Sequence, residues 1–239
     1  MRDARQNHPR DLRVDSEGFL TTARGSRVWV HTTNTPTAKF LTEGFRFSRD
    51  AFYLASAIAG EDLNTFGRNA LFITYKPTRI FAPTDGAALT ELVECLRGRT
   101  TPEAVLAAAH AILNIDGVFD LDEIRDIYEG DPFEFVYEQL SRGYYAAYER
   151  IPGVRACLEG LGYTAYIESE SGEATGRDNV AVLRRDFDRL TIAAAVESEA
   201  GLVRCPVCGE RAGLDDVLRA TTAPGEAVAV QCGRCAGRA

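Results

Sequence analysis

Positive charge is in short supply. The 239 residues carry 27 lysines and arginines against 35 acids, a formal net charge of −8. That balance argues against binding nucleic acid through bulk charge and leaves only a local basic patch for such a role. No apolar run approaches the ~20 residues of a membrane span, so no membrane association is expected. The N-terminal stretch MRDARQNHPRDLR has no apolar core behind its charges, and so does not read as a secretory signal. Cysteine is sparse as well: there are six, and four of them sit in two CxxC pairs. This usage suits a metal site in a reducing cytoplasm better than a disulfide scaffold.

What is present reads as α+β. Residues 1–15 are polar and mixed in charge, a flexible arm, and Phe19–Thr22 is an edge strand. Val28-Trp29-Val30-His31 is β-branched and aromatic, as strands prefer. Thr35 followed by Pro36 is an N-cap with proline at the first helical position, and Gly44 sits where that helix should stop. Phe52-Tyr53-Leu54 is a second short strand, followed by a helix-forming run from Ala55 to Leu63. Ala70–Tyr75 is the strongest strand signal in the chain, continued by Arg79-Ile80-Phe81 after the break at Lys76-Pro77.

From Asp85 to Gly160 the pattern is helical. Leu89–Arg97 is one helix, and Thr101-Pro102-Glu103 caps a second through Leu113. Asp120 and Glu123 form a capping box for a third, Pro132 to about Tyr148 makes a fourth, and Ile151-Pro152 opens a fifth. The run Asn114–Glu123 resembles a calcium loop only superficially, because it lacks acids at alternating positions before its glycine. Strands return at Tyr163–Glu168 and Val180–Leu183, after which Ala193–Gly201 loses its period and reads as a linker. The expected organisation is an arm (1–15), a main domain (16–192) with a helical insertion at about 85–160, a linker (193–202) and a small C-terminal module (203–239).

The C-terminal module carries the most specific signal. Cys205-Pro206-Val207-Cys208 and Cys232-Gly233-Arg234-Cys235 are two knuckles, each turning two thiolates toward one ion. Gly209 and Gly233 suit such turns. Four sulfur ligands leave no open position for substrate, so the site is expected to be a structural zinc ribbon whose stability comes largely from the metal. Cys95 and Cys157 lie among apolar neighbours on helices and read as core residues.

The order Val28-Trp29-Val30-His31-Thr32-Thr33, a helix, Gly44-Phe45, then Phe52-Tyr53-Leu54-Ala55 resembles the two halves of a nicotinamide pocket in the ADP-ribosyltransferase fold. The similarity is to the branch with a His–Tyr–acid constellation, which includes poly-ADP-ribose polymerase catalytic domains and many bacterial and phage toxins. It continues through Gly162-Tyr163-Thr164-Ala165-Tyr166 and Asn179–Leu183, and covers about Arg27 to Ile192. The resemblance implies a split antiparallel sheet, and an enzyme that cleaves NAD, as substrate, and transfers ADP-ribose to a protein or nucleic-acid acceptor. It implies that His31 hydrogen-bonds the ribose, that Tyr53 stacks on nicotinamide, and that Thr32 and Thr33 line the cofactor side of the first strand. The third catalytic position falls at Asp178 or Asn179, with Glu168 and Glu170 as alternative acids.

The chain departs from the family pattern in two places: Thr32 stands where a glycine is usual, and Asn179 cannot carry negative charge. A non-catalytic scaffold that docks a partner through its zinc ribbon therefore stands beside the enzyme reading. In either case the partner is a macromolecule, a protein in preference to a nucleic acid, and the expected location is cytoplasmic. Taken singly, a histidine or tyrosine on an apolar strand is ordinary packing. Lys39 and Arg46 could meet a pyrophosphate but are commonplace surface cations, and His110 reads as a helix-face residue.

Overall fold

A computed structural model describes residues 12–17, 19–45, 51–56, 69–113, 121–128, 131–168, 179–196, 202–205, 208–213 and 233–236. It forms two compact units, one made of residues 1–49, 53–76 and 187–239 and the other of 50–52 and 77–186. Among the described residues no helix is long and apolar enough to cross a membrane.

The chain begins with a hairpin of β1 (Leu12–Val14) and β2 (Leu20–Thr22), paired antiparallel. Part of the expected flexible arm is thus a strand. Its alternation explains why: Leu12 and Val14 are almost fully buried while Arg13 between them is exposed. β3 (Val28–Thr33) lies antiparallel to β4 (Ala51–Ser56) and to β5 (Asn69–Thr74), with Trp29 opposite both Ser56 and Ile73. α1 (Thr37–Glu43) connects β3 to β4. It starts after Pro36, which makes no side-chain cap, and ends at Gly44, whose φ of 68° only glycine adopts without cost. Ala55 and Ser56 extend β4 rather than beginning a helix; the remainder of that expected helix lies outside the described residues.

In the second unit, β6 (Ile80–Phe81) is followed by α2 (Gly86–Arg97), α3 (Pro102–Leu113), α4 (Leu121–Ile127), α5 (Pro132–Ser141), α6 (Tyr145–Arg150) and α7 (Val154–Gly160). Asp85 caps α2 by accepting from the amides of Ala87 and Ala88, both at 3.1 Å. Asp131 caps α5 in the same way from Phe133 and pairs with Arg97 at the end of α2. The single fourth helix expected from Pro132 to Tyr148 is instead α5 and α6. The break falls at Gly143, where φ is 68°, a value that cannot continue a right-handed helix. β7 (Ala165–Glu168) and β8 (Asn179–Leu183) close the unit as an antiparallel pair. β6 runs parallel to β7, so the sheet is mixed rather than purely antiparallel.

The chain then returns to the first unit through a 3-10 turn (Arg184–Arg189) to β9 (Thr191–Val196), which pairs antiparallel with β5. The loss of sequence period after Ala193 does not end the strand. Ala194 and Val196 pack with Val28, Val30, Ala70, Phe72 and the β1–β2 hairpin in one apolar cluster, and that burial holds the strand to its end. A last hairpin, β10 (Leu202–Arg204) with β11 (Arg211–Gly213), and a short helix α8 (Gly233–Ala236) form the C-terminal module.

Candidate functional site

His31 occupies the middle of β3, opposite Leu71 of β5. It is half-buried, and Phe40 of α1 meets its ring edge-on at a centroid distance of 6.0 Å. Its Nδ1 lies 2.8 Å from the main-chain oxygen of Tyr53. A carbonyl can only accept, so Nδ1 carries the proton and, in the neutral ring, Nε2 is the acceptor. Burial lowers the histidine's pKa below its usual 6.5, and the bond to Tyr53 only partly offsets this. The imidazole is therefore neutral at neutral pH, with a fixed tautomer.

Tyr53 lies on β4 between Phe52 and Leu54, which are buried, and is itself half-buried. The link between His31 and Tyr53 seen here runs from ring to main chain. In a regular pleat continued from the Val30–Ala55 pair, Tyr53 shares the face of Ala55 and His31 that of Trp29. Thr32 pairs with Ala70, while the Thr33 hydroxyl accepts from the Thr35 amide at 3.1 Å. Asn69, opposite Thr33, donates to the Thr35 carbonyl at 2.9 Å. These bonds set the turn that leads from the histidine strand into α1, where Lys39 is exposed. Arg46, Asp178 and Glu170 lie outside the described residues.

Asn179 opens β8 in the second unit, directly across from Glu168 of β7. Glu168 is buried, at 4% exposure. Near it Tyr148 stacks on Tyr166 with centroids 4.3 Å apart and planes 21° from parallel. The Tyr148 hydroxyl is pushed well above its ordinary pKa of 10, first by burial and then by the neighbouring Tyr166 and Glu168. Cross-strand partners project to one face of a sheet, so Glu168 and Asn179 share a face. The sequence named Glu168 only as an alternative acid. Its pairing with Asn179 depends on strand register, which the sequence alone leaves open.

The C-terminal module brings Cys205, Cys208 and Cys235 together, with sulfurs all within 4.8 Å of one another. Cys205 is buried, Cys235 half-buried and Cys208 exposed. The β10–β11 turn explains the convergence. Gly209, with φ of 75°, donates its amide to the Cys205 carbonyl at 2.8 Å, and the Cys205 amide donates to the Glu210 carbonyl at 2.7 Å. This tight turn folds Cys208 back over Cys205. Arg234, beside Cys235, forms an ion pair with Glu210 at 2.6 Å, tying α8 to the hairpin. Three convergent sulfurs fit a thiolate-binding metal ion. Cys232 lies outside the described residues.

One covalent feature was not legible in the sequence. Cys95 of α2 and Cys157 of α7, expected to be separate core thiols, are joined as a disulfide. Comparison with protein-family models, curated proteins and solved structures gives no match to this chain.

Proposed function

We propose that the chain is an ADP-ribosyltransferase-like enzyme. In this reading it cleaves the nicotinamide–ribose bond of NAD and passes ADP-ribose to a macromolecular acceptor, a protein in preference to a nucleic acid. The observation that carries the reading is the state of His31: neutral, with its Nδ1 proton committed to the Tyr53 carbonyl and Nε2 set to accept. Such a nitrogen accepts a ribose hydroxyl and fixes the sugar. The nicotinamide-stacking role that the resemblance gives Tyr53 is not carried by this geometry, because a regular pleat puts its ring on the other face of the sheet from His31.

The glycosidic C–N bond breaks, its electron pair leaves on nicotinamide, and an acceptor nucleophile captures the oxocarbenium-like ribose and gives up its proton. A carboxylate that stabilises that cation is the remaining requirement. Asn179 does not meet it, which leaves Asp178, Glu170 and Glu168. The cysteines at 205, 208, 232 and 235 complete a structural zinc ribbon, with the metal supplying fold stability. With no open ligand position, its part is to recruit the acceptor. A net charge of −8 favours a protein in that place.

Asn179 and Thr32 favour a second reading, in which the domain is a degenerate scaffold and the ribbon docks a partner. Calorimetric NAD affinity and nicotinamide release, measured on wild type, His31→Ala and Tyr53→Ala, separate the two. Release lost in both folded variants supports the enzyme. Binding without release supports the scaffold. Absence of NAD binding by the wild type removes the enzyme, leaves the resemblance as ancestry alone and turns attention to the ribbon as the docking element.

A further inference from the structure

Cys95 and Cys157 are bridged with Cα atoms 5.9 Å apart, inside the range a disulfide spans without backbone movement. The two sulfurs differ in environment. Cys95 is half-buried on the flank of α2, whereas Cys157 is fully buried at the centre of α7 beside Leu158. The same two segments are also held together without sulfur. The Thr100 hydroxyl, just after α2, donates to the Pro152 carbonyl, just before α7, at 2.8 Å. Leu92, Leu96, Val154 and Leu158 are buried. The bond is therefore not needed to bring the helices together. What it adds is a closed covalent loop, 62 residues in sequence, that encloses α3, α4, α5 and α6.

We propose that the Cys95–Cys157 pair is a reversible redox staple, opened and closed by a low-molecular-weight thiol–disulfide couple, that controls how readily the enclosed helices open. In reduction, a reductant thiolate attacks the sulfur of Cys95, the more reachable of the two. The S–S bond breaks, and its electron pair leaves on Cys157, which takes up a proton. A second reductant thiol attacks the resulting mixed disulfide, releasing Cys95 as a thiol and the reductant as its own disulfide. The protein gains two electrons and two protons. Oxidation runs the sequence backwards: Cys95 forms the mixed disulfide, and Cys157, held beside it by the packing of α2 and α7, displaces the small thiol. The cluster of Cys205, Cys208 and Cys235 is a separate population of thiols.

The test uses the full, zinc-loaded chain in native buffers of graded reduced-to-oxidised glutathione ratio, quenched with acid, alkylated and mapped by peptide mass. The peptide linked through Cys95 and Cys157 should disappear as the ratio rises and return when it is reversed. Proteolysis between Arg99 and Arg150 should quicken about tenfold or more in the reduced form, because cleavage follows local opening. Cys157→Ser should trap glutathione on Cys95, while Cys95→Ser should leave Cys157 unmodified. The proposal is overturned if the oxidised chain shows no such linkage, if the link resists native reduction, or if proteolysis is equal in both states. The wild-type measurements decide these points even where a variant fails to fold.

Discussion

Gly153 gives the most quantitative test of how the second unit is packed. It sits at the N-terminus of α7 with φ of 88°, and a Cβ added there would stand 3.1 Å from the Thr100 hydroxyl and 3.5 Å from Leu96. Gly153→Ala therefore meets two costs. The left-handed backbone costs an alanine about 1–2 kcal/mol. The 3.1 Å approach also forces Thr100 to give way by a few tenths of an ångström, weakening its bond to the Pro152 carbonyl, for which about 1 kcal/mol is typical. Reduced freedom of the unfolded chain returns about 0.4–1 kcal/mol, too little to reverse the sign. The expected net loss is about 2 kcal/mol. Urea unfolding with amide exchange read on α2 and α7 measures it. In a Thr100→Ala background the hydroxyl is gone, so the glycine substitution should cost about 1 kcal/mol less, a coupling that a double-mutant cycle isolates. A loss under about 0.5 kcal/mol, or one unchanged in the Thr100→Ala background, would refute the packing argument.

Other outcomes follow from the same geometry. Because burial holds the His31 pKa below 6.5, the unfolded chain takes up the proton first as pH falls. The contribution of His31 to stability is thus intact above pH 6.5 and is lost as pH drops toward the folded pKa. Denaturant unfolding between about pH 5 and about pH 8 should show a steeper acid loss in wild type than in His31→Phe, and equal slopes would contradict the buried neutral ring. The Tyr148 hydroxyl is buried with no hydrogen-bond partner among the described residues. Tyr148→Phe should accordingly leave the thermal midpoint unchanged or raised, by up to about 1 kcal/mol in stability; a clear fall would reveal a hidden partner. Cys208→Ser should release metal and loosen the C-terminal module while the main elements stay folded, and retention of stoichiometric zinc by elemental analysis would sink the ligand assignment. By the chain-entropy relation, a closed loop of 62 residues makes reduction cost about 4 kcal/mol at room temperature, readable as a drop in the urea midpoint.

Much of the element order was legible because local chemistry decides it. The β-branched run at Val28, the apolar run at Ala70 and the helix starts at Pro102 and Pro132 all specify their own backbone. Where the reading failed, the deciding force was not local. β1 is a strand because Leu12 and Val14 reach a core formed by residues as distant as Val196. β9 runs on as far as Val196, into the first residues read as linker, because β5 pairs with it. The break at Gly143 needed the backbone angle, since glycine inside a helical pattern is compatible with either outcome. In the sites, the repeated CxxC spacing announced the cysteine cluster, because each pair sets two thiols within one tight turn. The Cys95–Cys157 bridge was hidden because no spacing rule links two helices 62 residues apart. The His31–Tyr53 bond depends on a main-chain oxygen, which any residue could have supplied.

The return of the chain to its first unit also sets a timetable for synthesis. β5 is almost wholly buried and apolar, yet the strand that covers one of its edges comes much later: Thr74 bonds to Thr191, 117 positions downstream. At about 5–20 residues per second on the ribosome, that edge waits roughly 6 to 23 seconds for its partner. A sticky apolar strand with an open side is the kind of intermediate that holding chaperones capture. Meanwhile, most of the second unit lies within residues 77–186 and can be complete before β9 has been made. In a cell the protein should therefore mature from its middle outward, and its yield should depend more on how β5 is shielded during that interval than on its final stability.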